Sequence, residues 1–350
     1  MKNQYRALAL VVLAAALVLL ELTKSTVLTE DAPEKRAASE RAAACYEAIY
    51  AEKLSRGLEM DAGADINRTG MIGLDYSFIT TTVGNLEAKR TSTNPNMAAV
   101  VVDMLHELKL QPGDKVAVNC SGSFPALNIA VMCALQELQL EPYLISSFGS
   151  STHGANDPEF TYLDMEHLLV EQGLLSHRSD LFSIGGMEDL GKEMPPEMVD
   201  AIVARIQGYG YTWFYDEDLI HNVLTRYDIY CGQGDVKCFI NVGGNDASFG
   251  DSSVMVHTDG GILTQLSEKD NSTGLVQLFL KNGTPVIHLL NIKSLAAEYG
   301  LPIDPVPLPA VGQGGVYYQT HYETWIAVAG FSAAAVLLWL GREQKKKGTV

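Results

Sequence analysis

The sequence predicts an α/β fold: a mostly parallel sheet with helices on both faces, flanked by N- and C-terminal transmembrane helices. Three observations predict it. Short apolar runs of strand length, at 115–118, 142–145, 181–184, 238–242 and 286–290, alternate with longer stretches at helical spacing. These runs lack the in–out alternation of a half-solvated sheet, so both their faces are buried, the condition of parallel strands. Both ends of the chain are apolar: 7–20 is unbroken and 326–340 nearly so.

Taken in order, the first apolar run follows Lys2 and Arg6 and is closed by Glu21. It is the length of a signal-peptide core, but no small-x-small cleavage site follows it, so it reads as an uncleaved anchor over 1–22. Residues 23–69 form a juxtamembrane segment. Within it, 33–56 places Ala43, Tyr46, Ile49, Tyr50 and Leu54 at helical spacing and ends at Gly57, an amphipathic helix that rises from the membrane or packs on the main domain. The α/β domain spans 70–310. Its first part, 70–95, is rich in hydroxyls and carries the adjacent cations Lys89 and Arg90. It reads as a loop over a site whose two cations contact carboxylates, or as a solvated strand followed by the N-cap of the next helix.

Regular alternation begins at Asn96. Helices are predicted over 97–110, 124–140, 161–175, 195–206, 216–227, 274–280 and 292–299, the second and fourth with Pro near the start, where a missing N–H costs least. The Pro-rich 301–309 and Gly-rich 311–317 read as linkers, the latter within a linker assigned to 311–324. The second span is 325–341, with Trp325 and Trp339 at its edges, and Arg342 and three lysines open a basic tail over 342–350. Basic flanks predict that both termini are cytoplasmic and that the main domain lies outside the cell membrane. No internal repeat is visible.

The chain has 350 residues and a formal charge of −17. Removing the termini leaves 23–322 with 19 basic and 39 acidic residues, a charge of −20. That balance argues against nucleic acid as a partner. Five cysteines in an outer domain is an odd number. Cys231 and Cys238 are close enough in sequence to bridge, whereas Cys120 and Cys133 read as buried thiols. No Cys/His spacing suggests a metal site, and no cofactor is assigned.

Ligands of an open parallel sheet bind beyond the carboxyl ends of its strands. Four loops leave those ends: 119–123, 146–157, 185–191 and 243–251. They supply Asn119, Gly122, Ser146, Ser147, Asn156, Gly185, Gly186, Gly243, Gly244, Asn245 and Asp246, which with Lys89 and Arg90 are the candidate ligand-binding residues. Three kinds of cleft fit. One is an anion site, with Ser121-Gly122-Ser123 at a helix N-terminus, although neither GxxxxGK[ST] nor GxGxxG occurs. Another is a serine hydrolase or transferase, with Ser121 or Ser123 at the strand-to-helix elbow, His153 as base and Asp157 or Asp246 orienting it. His106, His167 and His221 lie in helical patterns and read as packing or surface residues. The third is a binding module, in which Glu188, Asp189, Asn245, Asp246 and Asp251 converge enough acidity to hold a divalent cation.

The run GDKVAVNCSGSFPALNIAV (113–131), followed by ISSFGSSTHGANDPEFTYLDME (145–166) and NVGGNDASFG (241–250), resembles the poly-gamma-glutamate system protein family. So do the length and the N-terminal anchor. The resemblance implies an accessory component of bacterial poly-gamma-glutamate (capsule polymer) biosynthesis or export. Its implied partners are other membrane subunits of that machinery. The polymer itself is anionic and would need a local basic patch at Lys89, Arg90 and Lys192, or bridging divalent cations. The resemblance carries no established catalytic residues, and His153 departs from the family pattern, which counts against a triad through it. The alternatives are an extracytoplasmic serine-type hydrolase or transferase on γ-glutamyl or peptidoglycan amides, and a non-catalytic anion-binding module.

Overall fold

The structure is a computed structural model that describes residues 2–250, 258 and 260–347. It divides into two units. The first is formed by the two ends of the chain. Helices α1 (Lys2–Thr23) and α12 (Thr324–Lys347) pack on one another, and strands β1 (Ser25–Leu28) and β9 (Tyr318–His321) pair antiparallel beside them. Asn3–Thr23 and Thr324–Arg342 are long and apolar enough to cross a membrane, with mean hydropathies of 2.2 and 1.8. Leu10, Val11, Leu17, Leu22, Val328 and Phe331 are exposed on them, as side chains meant for lipid would be.

The second unit, Asp31–Tyr317, is the predicted α/β domain. Its seven-stranded sheet runs in the order β5 (Thr212–Trp213), β4 (Leu181–Ser183), β3 (Glu141–Ser147), β2 (Lys115–Ser121), β6 (Val236–Val242), β8 (Val286–Leu289), β7 (Gly261–Leu263). Every pairing is parallel except that of β7, which closes one edge antiparallel to β8. The side chains alternate between two covered faces, as the continuous apolar runs require. Val116, Val118, Cys120, Cys238, Ile240 and Val242 point to one layer, built on α2 (Ala32–Arg56), α4 (Met97–Glu107), α5 (Pro125–Glu137) and α11 (Ile292–Glu298). Ala117, Ile145 and Phe239 point to the other, covered by α8 (Leu219–Gly232) and α10 (Leu275–Lys281). A third cluster packs α7 (Pro196–Gly208) against Phe182 and Phe148.

Several expectations change. Helix α2, read from the sequence as a juxtamembrane helix, packs on the main domain. Ala38, Ala42, Cys45 and Ile49 are fully buried in the main core, so the domain begins at this helix. Residues 301–309 and 311–317 are not free linkers, because Leu301, Val316 and Tyr317 join the same core and the Tyr317 hydroxyl donates to Asn96 Oδ1 at 2.7 Å. All five cysteines are free. Cys238 faces the layer of α2 and α5, whereas Cys231 lies near the end of α8 on the other side of the sheet and is exposed, so the sheet separates the two cysteines whose spacing would allow a bridge. Strands β5 and β7 have two and three residues, too few for a periodic signal.

The hydroxyl-rich stretch between α2 and α3 (Leu86–Ser92) is a strap laid against the loop that follows β3. Thr81 N–H donates to Ser150 O at 2.8 Å, Thr152 N–H to Thr82 O at 2.9 Å, and His153 N–H to Leu74 O at 2.9 Å. Asn156 ties both sides together through Leu74 N, Leu74 O and Thr80 Oγ1. The approach is so close that a Cβ on Gly73 would stand 1.8 Å from Gly154 O. Gly73→Ala is therefore expected to cost about 1–3 kcal/mol, the range of an overpacked core, and denaturant unfolding of the purified protein measures it.

Candidate functional site

The connection leaving β2 turns to β3 on one side of the sheet, and β6 lies on its other side. The carboxyl ends of β2 and β6 therefore frame the crevice where an open α/β sheet receives its ligand. A cavity of about 730 Å3 opens there. Ser123 and Phe124 reach it from the β2 loop, Ser151 from the β3 loop, Gly244, Asn245 and Asp246 from the β6 loop, and Lys89 from α3. The size suits a small molecule or a short segment of a polymer. A second cavity of about 240 Å3 shares Ser123, Asn245 and Asp246, and adds Ser121, Ser147, Gly186 and Glu193.

Beneath these loops lies a buried polar network centred on Arg226 of α8, which is 1% exposed. Its Nε donates to Asn222 Oδ1 at 2.8 Å, Nη1 to Asn119 Oδ1 at 3.1 Å, and Nη2 to Ser183 Oγ at 2.8 Å and to the Asp189 carboxylate. Asp189 Oδ1 in turn accepts from Ser183 Oγ at 2.8 Å and Gly185 N–H at 3.1 Å. Asn119 Nδ2 donates to Ser248 Oγ at 2.7 Å. One guanidinium thus joins the ends of β2 and β4, the turn after β4 and the short helix after β6. Nothing in the sequence marks Arg226, which occupies an ordinary position in a helical pattern.

The expected site residues divide accordingly. Ser121, Ser123, Ser147, Gly186, Gly244, Asn245, Asp246 and Lys89 line the two cavities. Asn119 and Gly185 belong to the network below. Ser146 Oγ pairs with Ser179 Oγ at 2.6 Å, away from the crevice. Asn156 braces the strap. Gly122 lends its carbonyl to Ala155 N–H at 2.8 Å and Ser150 Oγ at 3.0 Å. Gly243 donates its N–H to Leu289 O at 3.0 Å and so continues the sheet.

The triad residues are not brought together. Among the described residues no hydrogen bond joins His153 to Ser121 or Ser123; its Nε2 lies 3.4 Å from Asp75 Oδ1 on the strap. Asp157 accepts Glu159 N–H at 2.9 Å in a local turn. The elbow serines serve the loops: Ser121 Oγ accepts from Ser123 N–H at 3.1 Å, and Ser123 Oγ from Ser151 N–H at 3.0 Å.

The acidic convergence is likewise engaged. Glu188 pairs with Lys192, Asp189 with Arg226, and Asp246 accepts Glu188 N–H at 2.7 Å. Asp251 lies outside the described residues. Among the described residues no group of three or more His, Cys, Asp or Glu is placed to hold a metal. Burial raises the Asp246 carboxyl above its usual range against the Glu188 N–H bond, and Asp189 and Glu188 add to the rise.

The two adjacent cations have opposite fates. Arg90 is locked to Asp304, with Nε to Oδ1 at 2.6 Å and Nη2 on Oδ2. Lys89 is 2% exposed and reaches no carboxylate among the described residues. Its Nζ donates to Ser123 O and, at 2.7 Å, to Ser151 Oγ, and it stands 4.0 Å from the centre of the Phe124 ring. Burial pushes its ammonium down to about 7. Sequence reasoning named Lys89 but missed Ser151, one of several serines in a loop.

Two outcomes follow. Arg226→Met leaves Asp189 buried without its cation and is expected to cost about 3–5 kcal/mol in chemical denaturation. Between pH 7 and about 10.4 the unfolded chain keeps the Lys89 proton that the native state has lost, so this lysine makes stability rise with pH in that window. Below pH 7 both states hold the proton and the full cost of burying the charge is present. Relative to Lys89→Met, wild-type stability is expected to climb by up to about 1.4 kcal/mol per pH unit across the window, read from denaturation midpoints at several pH values; parallel pH profiles would contradict it. Set against family models, curated proteins and solved structures, the chain has no match, so the meaning of the site rests on its own geometry.

Proposed function

We propose that this protein is a membrane-anchored accessory component of poly-gamma-glutamate biosynthesis or export. In this reading both termini are cytoplasmic and the Asp31–Tyr317 domain works on the outer side of the membrane. The observation that supports it is where the family-like segments fall. The three stretches carrying the resemblance, 113–131, 145–166 and 241–250, are far apart in sequence, yet Ser123, Phe124, Ser151, Asn245 and Phe249 from them line one cavity. The same stretches also carry core positions such as Val118, Ile129 and Tyr162, so the resemblance takes in both the core and the cleft that it frames. Two apolar helices of spanning length, with Lys2, Arg6 and Arg342 at their ends, are consistent with an outward-facing domain held by both termini.

The cleft offers the polymer no open basic patch among the described residues. Arg90 is held by Asp304, Lys192 by Glu188 and Lys293 by Glu87, while Lys89 is buried. Partnership with other membrane subunits of the machinery therefore takes precedence over binding of the bulk polymer, and contact with the polymer is confined to what enters the cleft. Removal of the protein from the bacterium is expected to reduce surface polymer or change its chain length; unchanged amount and length would overturn the assignment. A reporter fused after Val350 is expected to give a cytoplasmic signal, and an extracytoplasmic one would reverse the topology.

A further inference from the structure

We propose that Lys89 and Ser151 form a base–nucleophile pair, and that the cleft is an acyl-transfer site for an amide or ester. The inference commits to this chemistry and not to any polymer, so it stands apart from the assignment above. It rests first on geometry. Lys89 Nζ lies 2.7 Å from Ser151 Oγ, within the reach a base needs to take a hydroxyl proton. Both residues line the 730 Å3 cavity. The serine is held from both sides, its N–H on Ser123 Oγ at 3.0 Å and its carbonyl accepting from Gly154 N–H at 3.1 Å. Its hydroxyl has no hydrogen-bond partner among the described residues other than the lysine. The backbone at Gly84 runs alongside so closely that a Cβ there would come 2.9 Å from Lys89 Cε and 3.1 Å from Ser151 Oγ.

The contrast with Lys35 separates this lysine from a structural one. Lys35, fully buried in α2, is answered by Asp103 and by Asp31 at 3.0 Å, the arrangement that keeps a buried ammonium charged. Lys89 has a carbonyl, a hydroxyl and an aromatic face instead. Burial without a carboxylate partner favours the neutral amine, which can accept a proton, and the fold places that amine against the Ser151 hydroxyl.

The reaction balances with water as the only co-reactant. Ser151 Oγ attacks the substrate carbonyl carbon as its proton passes to Lys89 Nζ. The tetrahedral intermediate collapses, the C–N or C–O bond to the leaving group breaks, and the Lys89 ammonium protonates the departing amine or alcohol. Water then attacks the acyl-Ser151 ester while Lys89 takes its proton. The ester bond breaks, the proton returns to Ser151 Oγ, and the acid is released. A second amine in place of water makes the reaction a transfer.

The test uses the detergent-solubilised full-length chain and an alkyl fluorophosphonate, which phosphonylates an activated serine with loss of fluoride. Peptide mass spectrometry is expected to place the adduct on Ser151, with a labelling rate that rises with pH through a midpoint near 7. Ser151→Ala is expected to abolish the adduct. Lys89→Met is expected to slow labelling by about 100-fold or more, and Lys89→Arg, which keeps the charge but cannot serve as a base, to do the same. Circular dichroism identifies a variant that fails to fold, and in that event the wild-type pH profile decides. No adduct on Ser151 in the folded protein, a rate without an inflection between pH 6 and 8, or a folded Lys89 variant labelled as fast as wild type would each overturn the proposal.

Discussion

The guanidinium of Arg226 lies under the end of the sheet, where β2 and β4 finish and the loops that make the cleft begin. A cation with almost no exposure is costly to bury, and the structure meets that cost with one carboxylate and three neutral oxygens. The arrangement is directional because the fork of the guanidinium fixes where each acceptor must stand. Asn119 is more than sixty residues from Ser183 and Asp189 in the chain, and they meet because α8 presents one residue to all three. The turn at Gly185 and the short helix beginning at Asp246 follow from that meeting, through Asp189 and through Ser248. The apolar layers give the sheet its stability, and this network gives the end of the sheet its shape.

The layers were legible because hydrophobic periodicity carries them. Continuous runs such as 238–242 announced two covered faces, and the strands fell where those runs lie. The limits of the domain were less legible. Residues 33–56 and 311–317 border apolar ends, so composition set them outside the domain as a juxtamembrane helix and a linker, while packing draws both into the core. At the site, the Gly and Ser content of the loops located the right edge of the sheet without identifying which hydroxyl meets which base. Ser121 and Ser123 occupy the elbow where a nucleophile is expected, but both accept loop N–H groups. Ser151 depends on a strap-to-loop pairing across some seventy residues of chain, a relation that no local pattern encodes.

Lys89 and Arg90 show how far adjacent residues of one type can diverge. Both lie in the last turn of a seven-residue helix, offset by one position. That offset turns one towards Asp304 on the surface and the other into the interior beside Phe124. The first is a clamp and the second an isolated buried amine, although by composition they are a single basic pair.

Helix α2 comes early in the chain, separated from the first apolar helix by β1, yet two of its buried polar groups also take partners from residues just before the second. Lys35 Nζ donates to Val316 O, 281 residues further on, and Ser39 Oγ lies 2.9 Å from the Tyr317 hydroxyl. Synthesis runs from the N-terminus, so the helix made first waits for nearly the whole domain before its interior is satisfied. A chain released early by the ribosome keeps its first apolar helix but lacks the residues that close the fold. Completion of the α/β domain and synthesis of the second apolar helix therefore fall close together in biosynthesis, and a product truncated before residue 316 is left with an open core, in the state that proteases remove.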